Sequence, residues 1–276
     1  MKRAFRIFLI VLSILASLIL LGVAAFLVTG GPLADLRPEE VTGAPQPDRE
    51  ARGRALLTSA WEAAGGERTL AHPAARFRFR DHWQGLGTLF NPWPANDQRA
   101  IVEIQTHSFN SVVELLNGPS EGVTWGIRDG QAWMEEGGTR APTDDFNLRF
   151  MLPTIHYFME LPQRLTEAPI ARWVEERTIG GRSYDVVFAT WRTVEAHDEE
   201  DQYLVFIDRE TGRIGKVQYT VREMGRFVTG TNHLDDQREI GGVWIPHRQS
   251  VTPEPTDSPD DYLHRMTVED FVWLDS

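Results

Sequence analysis

The chain of 276 residues contains no cysteine. That excludes disulfides, thiolate metal ligands, a cysteine nucleophile and a lipid-bearing cysteine, while leaving the compartment open. Lysine is almost missing as well: of the 28 basic residues only Lys2 and Lys216 are lysines. Positive charge is in deficit overall, with a formal net charge of −12 at pH 7. A nucleic acid is therefore not the expected partner, because binding its backbone needs a positive surface. There is no internal repeat of fixed period and no long low-complexity tract. What remains is a globular composition, 41% hydrophobic and 10% aromatic, sufficient for a substantial core.

Charge is absent from one long stretch near the N-terminus. Met1–Arg6 (MKRAFR) carries three basic residues, and Ile7–Val28 follows, 22 residues without a charge. As a helix this stretch would span about 33 Å, enough for a hydrocarbon core. The basic flank orients the N-terminus to the cytoplasm. The expectation is a signal anchor over residues 1–30 in the bacterial inner membrane, single-pass, with the domain periplasmic or extracellular. Cleavage near Val28-Thr29-Gly30, as in a signal peptide with an unusually long apolar region, is the competing reading. Residues 31–48, rich in Gly and Pro, read as a linker. Residues 49–276 read as one domain.

Within that domain Arg49–Glu67 is a helix candidate stopped by Gly65-Gly66. Ala75–Trp83 alternates Phe77, Phe79 and Asp81 with Arg76, Arg78 and Arg80, the period of a strand. The loop Gln84–Pro94 (QGLGTLFNPWP) carries apolar side chains with no obvious core to join. Short strands follow over 99–106, 111–116, 122–127 and 131–135. Asp144–Arg164 interrupts them with apolar residues at helical spacings, and Pro153 predicts a division into two short helices. Strands resume at 172–178, 184–191, 203–207, 214–221, 227–234, 243–251 and 262–273. That gives about twelve, joined by turns such as Asp208–Gly212 and Asp235–Gly242. The fold class is mainly β with some α: a curved antiparallel half-barrel wrapped around one or two helices.

A helix ending in Gly-Gly, a long meander with an apolar helical insert, then YLVFIDRETGRIGKVQYT and REIGGVWIP: in this order of elements, from about Arg49 onward, the chain resembles the LolA/LolB-like superfamily. The resemblance implies an incomplete β-barrel around helices and an apolar pocket for acyl chains or lipoproteins. It carries over no individual residue. The family's carriers are soluble and its receptors hold a lipidated cysteine, so a chain with an anchor and no cysteine reads as a tethered relative.

The sequence offers little for catalysis. No histidine pair has zinc spacing, and EAHDEED (Glu195–Asp201) lacks the ligand pattern of a calcium loop. Gly181–Asp185 fails as a nucleophile elbow, and Gly212–Val217 fails as a phosphate loop. His233, His247 and Asp235 could converge across neighbouring strands, which would make an envelope hydrolase. No metal and no cofactor are expected. The apolar candidates are more specific. Leu89, Phe90 and Trp93 in the loop could gate a cavity or touch a membrane. Phe150, Met151, Ile155, Phe158 and Met159 in the insert could line one. The favoured function is non-enzymatic: a membrane-tethered protein binding a lipid, an acylated protein or another apolar ligand between sheet and helices. A protein-interaction module of the cell envelope is the alternative.

Overall fold

The computed structural model describes residues 30–274 and seven helical positions of the apolar N-terminal stretch (Leu12, Ile14, Leu15, Ser17, Leu18, Leu21 and Gly22). Among the described residues no helix is long and apolar enough to cross a membrane. The expected anchor over Ile7–Val28 lies largely outside them.

Alternating side chains and turn glycines organise the chain into thirteen strands of one sheet. The first half holds β1 (Ala74–Trp83), β2 (Asp97–Gln105), β3 (Ser111–Leu115), β4 (Thr124–Arg128), β5 (Gln131–Glu136) and β6 (Thr139–Pro142). The second holds β7 (Ile170–Ile179), β8 (Arg182–Thr190), β9 (Gln202–Asp208), β10 (Ile214–Thr220), β11 (Thr229–Ile240), β12 (Val243–Thr252) and β13 (His264–Leu274). Each half is a meander, and the two join where β1 pairs with β13. The free edges of the sheet are β6 and β7, which are consecutive in sequence. Their pairing would close a barrel. Instead the sheet stays open, and the helices α2 (Phe146–Met159) and α3 (Leu161–Thr166) connect its two edges in sequence. A further helix, α1 (Pro47–Ala63), lies along β7, where Gly53 is required: a Cβ there would come within 2.7 Å of the Ala171 carbonyl oxygen.

Both edges are blunted against pairing with another chain. The carbonyls of Trp173 and Val174 on β7 accept from Arg49 Nη1 at 2.9 and 2.7 Å. β6 is four exposed residues ending in Pro142.

Several expected boundaries move. Helix α2 continues through Pro153, and the division falls at Glu160. Asp145 caps the start by accepting from the Leu148 N–H at 2.9 Å. Burial of Leu148, Met151, Leu152, Ile155, His156, Phe158 and Met159 offsets the rung that a proline removes. β11 runs on to Ile240, so the turn expected over Asp235–Gly242 is confined to Gly241-Gly242. The turn at Asp208–Gly212 is present, with Gly212 at φ 71°. β10 is covered on both faces. On its outward side Lys216 Nζ donates to the Pro255 carbonyl at 2.7 Å, bringing the 253–261 loop over the sheet.

The main core lies between the inner face of the sheet and the helices. A second, smaller cluster sits on the outer face of β7–β9, around Tyr184, Val186, Phe188, Leu204 and Phe206. It is closed by Val41 from the segment read as a linker. Leu36 N–H donates to Gln202 Oε1 at 2.9 Å and Arg172 Nη1 donates to the Val41 carbonyl at 2.7 Å, so residues 34–41 are held on the domain.

Candidate functional site

The inner core is not filled throughout. At one end of the strands a cavity of about 440 Å³ opens between α2 and the inner face of β9–β13 and β1. Its volume lies in the lower half of the usual range for small-molecule sites, about 300–1,000 Å³. Phe150, Met151, Tyr157 and Phe158 border it from α2, and Tyr203, Tyr219, Val251 and Met266 from the strands. Phe158 and Tyr219 lie 5.5 Å apart between ring centres, Tyr157 and Tyr203 5.7 Å. Burial pushes the phenols of Tyr157, Tyr203 and Tyr219 well above their ordinary range, so they are neutral. Among the described residues Tyr157 Oη has no protein partner at hydrogen-bonding geometry, although the Tyr203 hydroxyl is close enough to affect it.

The mouth is rimmed by apolar side chains. Phe90, Phe109 and Phe227 border the cavity and are partly exposed. Leu86 and Leu89 project from the 3-10 turn Gly85–Phe90, 76% and 78% exposed. Phe146 stacks on Phe150, ring centres 6.0 Å apart.

Four of the eight apolar candidates border this cavity: Phe90, Phe150, Met151 and Phe158. Leu89 stands at the mouth in solvent. Ile155 and Met159 turn into the packed core, and Met159 borders a separate cavity of only about 30 Å³. Trp93, read as a loop residue without a core role, is 4% exposed. Its ring stacks on Trp125 at 5.4 Å and its indole donates to Asp81 Oδ2 at 2.9 Å.

Asp81 is not among the candidates that the sequence singles out. The pleat puts it on the apolar face with Phe77 and Phe79, and it is 0% exposed. Its Oδ2 accepts from both Trp83 and Trp93 indoles, each at 2.9 Å. Its Oδ1 faces His264 Nδ1 at 2.9 Å. His264 stacks on Trp83 at 3.9 Å, and both border the cavity.

A second buried network fixes the helical insert. Glu160 Oε2 faces His156 Nδ1 at 3.1 Å and accepts from Arg164 Nη2 at 2.7 Å. Its Oε1 accepts from the His107 N–H at 2.7 Å. Burial opposes ionisation of Glu160, yet these donors and the Arg164 charge hold its carboxyl below the usual range. His156 Nε2 meets the Asn110 carbonyl at 3.0 Å, and Arg164 Nη2 donates to the Ser108 carbonyl at 2.8 Å. The i, i+4, i+8 spacing of these three side chains was the available signal.

The proposed His233–His247–Asp235 convergence does not form. His233 pairs with Ser250, three residues from His247, so the two imidazoles point to opposite faces of the sheet. Burial, then Lys216, pushes His233 down to about 4. The acidic run 195–201 is consumed by local contacts, with Glu195 near Arg37, Asp198 near Arg226 and Glu199 near Arg192. Asp201 accepts from Thr220 Oγ1 and the Arg222 N–H, both at 2.9 Å, while burial raises its carboxyl above the ordinary value. No group of three metal-ligating side chains comes together among the described residues.

No family model matches the chain, and no curated protein matches it in sequence. Solved structures do match in shape. A putative outer membrane lipoprotein-sorting protein domain from Vibrio parahaemolyticus aligns with TM-score 0.54 and 9% identity, covering 81% of this chain and 93% of that one. A LolA superfamily protein from Nitrosomonas europaea aligns with TM-score 0.51 and 13% identity, covering 81% and 94%. The chain has a LolA/LolB-like fold. A DUF1329 family protein from Desulfovibrio piger shares it, with TM-score 0.52, 8% identity, and coverage of 82% and 93%.

Proposed function

We propose that this domain binds an acyl chain, presented by a lipid or by an acylated protein, in the cavity between α2 and the inner face of the sheet. One observation carries the reading: a core that is packed elsewhere leaves about 440 Å³ open behind a mouth of exposed phenylalanines and leucines. Each methylene moved from water into such a site contributes about 0.8 kcal/mol, so affinity needs no catalytic group. The shape likeness to a lipoprotein-sorting domain supports a ligand of this class. We further propose that Ile7–Val28 anchors the chain in the bacterial inner membrane with residues 49–276 outside the cytoplasm, on the strength of the basic flank and the uncharged run.

The ligand is tested by native mass spectrometry of the purified full chain followed by lipid extraction. A co-purifying species with one or more acyl chains is expected. Protein that carries none, and takes up none when mixed with lipid extract, overturns the reading. The anchor is tested by carbonate extraction of membranes: the chain should stay in the pellet, and release into the supernatant would contradict an uncleaved helix.

A further inference from the structure

We infer that Asp81 and His264 form a head-group site at the Trp83 end of the cavity, specific for an amphiphile with an acidic head. The inference rests on the cavity's taking an acyl chain and names the chemistry at the other end of that chain.

The geometry is built rather than incidental. An indole N–H can only donate, so the two indoles on Asp81 Oδ2 require an unprotonated oxygen there. Oδ1 then accepts from His264 Nδ1, which fixes the tautomer and the ring's rotation. Trp83 covers one face of the imidazole in a near-parallel stack, 3.9 Å between centres and 4° between planes. Asp81 is wholly buried and His264 is 9% exposed. With Nδ1 turned to Asp81 and one ring face covered, Nε2 is the polar edge that His264 offers to the cavity it borders. No protein group among the described residues hydrogen-bonds to Nε2. His264 Nε2 is not sealed by protein although the residue is 9% exposed, and an imidazole nitrogen open toward an apolar cavity is a site for a ligand atom.

An acid suits this edge better than an ester or an alcohol. A carboxylic acid can donate its proton to neutral Nε2, or accept from Nε2–H as a carboxylate beside the imidazolium. The proton count is the same either way, so the contact forms wherever the proton rests. A phosphate monoester behaves likewise. An ester cannot donate, and an alcohol gains no charge assistance. Two carboxylates border the cavity, Asp201 and Glu223: Asp201 is already engaged by Thr220 and Arg222, and Glu223 is solvent-exposed. Arg149 borders the cavity from α2, with Asp144 3.5 Å from its Nη1.

The test uses the full chain, freed of lipid, with the neutral dye N-phenylnaphthylamine in the cavity. Palmitic acid, hexadecyl phosphate, methyl palmitate and hexadecanol are compared as displacers. The acid, the phosphate, or both should displace the dye at concentrations about tenfold or more below the ester and the alcohol. Displacement by only one of the two anions identifies the head as carboxylate or phosphate. The double variant Asp81→Asn/His264→Phe keeps an aromatic ring on Trp83 and leaves no lone buried carboxylate; it should bind all four alike, at the level of the ester. Should that variant fold poorly, the comparison of heads on the natural chain still decides. Equal displacement by acid, ester and alcohol overturns the head-group assignment while leaving the acyl-chain reading intact. Failure of every compound to displace the dye overturns both.

Discussion

Two histidine–carboxylate pairs are buried in the inner half of this domain, and they differ in what the second ring nitrogen meets. In the pair His156–Glu160 that nitrogen finds the Asn110 carbonyl, and the carboxylate is further held by Arg164 and the His107 N–H. Both imidazole nitrogens and both carboxylate oxygens are met, although Arg164 Nε has no partner among the described residues, and the network ties the helical insert to the turn between β2 and β3. In the pair His264–Asp81 the carboxylate is equally well supplied, but Nε2 has no protein partner among the described residues and His264 borders a cavity. A closed network does structural work. The open one leaves an imidazole nitrogen without a protein partner among the described residues beside an apolar cavity. The same residue types at similar depth thus take different roles according to one unfilled hydrogen-bond position.

The contrast can be broken at several points. Removing Glu160 from the closed network should have the largest effect, because Arg164 and His156 are then left without their buried acceptor. Glu160→Ala should cost about 3–5 kcal/mol, lowering the midpoint of thermal unfolding by about 10 °C. A drop of a degree or two would mean the network is dispensable.

A third histidine supplies a control that has no carboxylate. His233 bonds Thr252 Oγ1 at 2.8 Å, and burial followed by Lys216 lowers it to about 4. An unfolded histidine takes up its proton near 6.5, so between there and 4 protons favour the unfolded chain. Stability should fall as pH drops through that window, by at most about 3 kcal/mol from this group. His233→Gln should flatten that part of the denaturant-midpoint profile; an unchanged slope would remove His233 as its source.

Trp93→Phe keeps a ring against Trp125 but removes one of the donors to Asp81. A loss of about 1–3 kcal/mol in urea unfolding is expected, smaller than for Glu160→Ala. A neutral outcome would show that Asp81 is held by Trp83 and His264 alone. Smaller still is the increment along the chain of the ligand. Between decanoic and myristic acid, affinity should rise about fourfold per methylene by dye displacement. Independence from chain length would detach binding from the apolar cavity.

Much of the architecture was legible because it is written locally. Asp208–Gly212 and Gly241-Gly242 are turn signals, alternation marks the strands, and the apolar spacing of 146–165 marks the insert. Alternation put Asp81 on the same pleat face as Phe77 and Phe79, but nothing local marked it as functional. Its partner was not legible, because His264 comes from a strand 183 residues away and only the β1–β13 pairing brings them together. The Gln84–Pro94 loop shows the same limit. Composition marks it as apolar, but tertiary contacts decide that Leu86 and Leu89 face solvent while Trp93 turns under the sheet. Proline and glycine content also made 31–48 read as a tether, whereas the outer cluster around Phe188 and Phe206 supplies an apolar surface for Val41 to cover.

The central claim is that the open end of the inner core takes an acyl chain. Isothermal titration of the lipid-free full chain with palmitic acid at several temperatures addresses it directly. One saturable site per chain is expected, with a negative heat-capacity change from burial of apolar surface. Absence of saturable heat at every temperature, with the chain still folded, would contradict the claim.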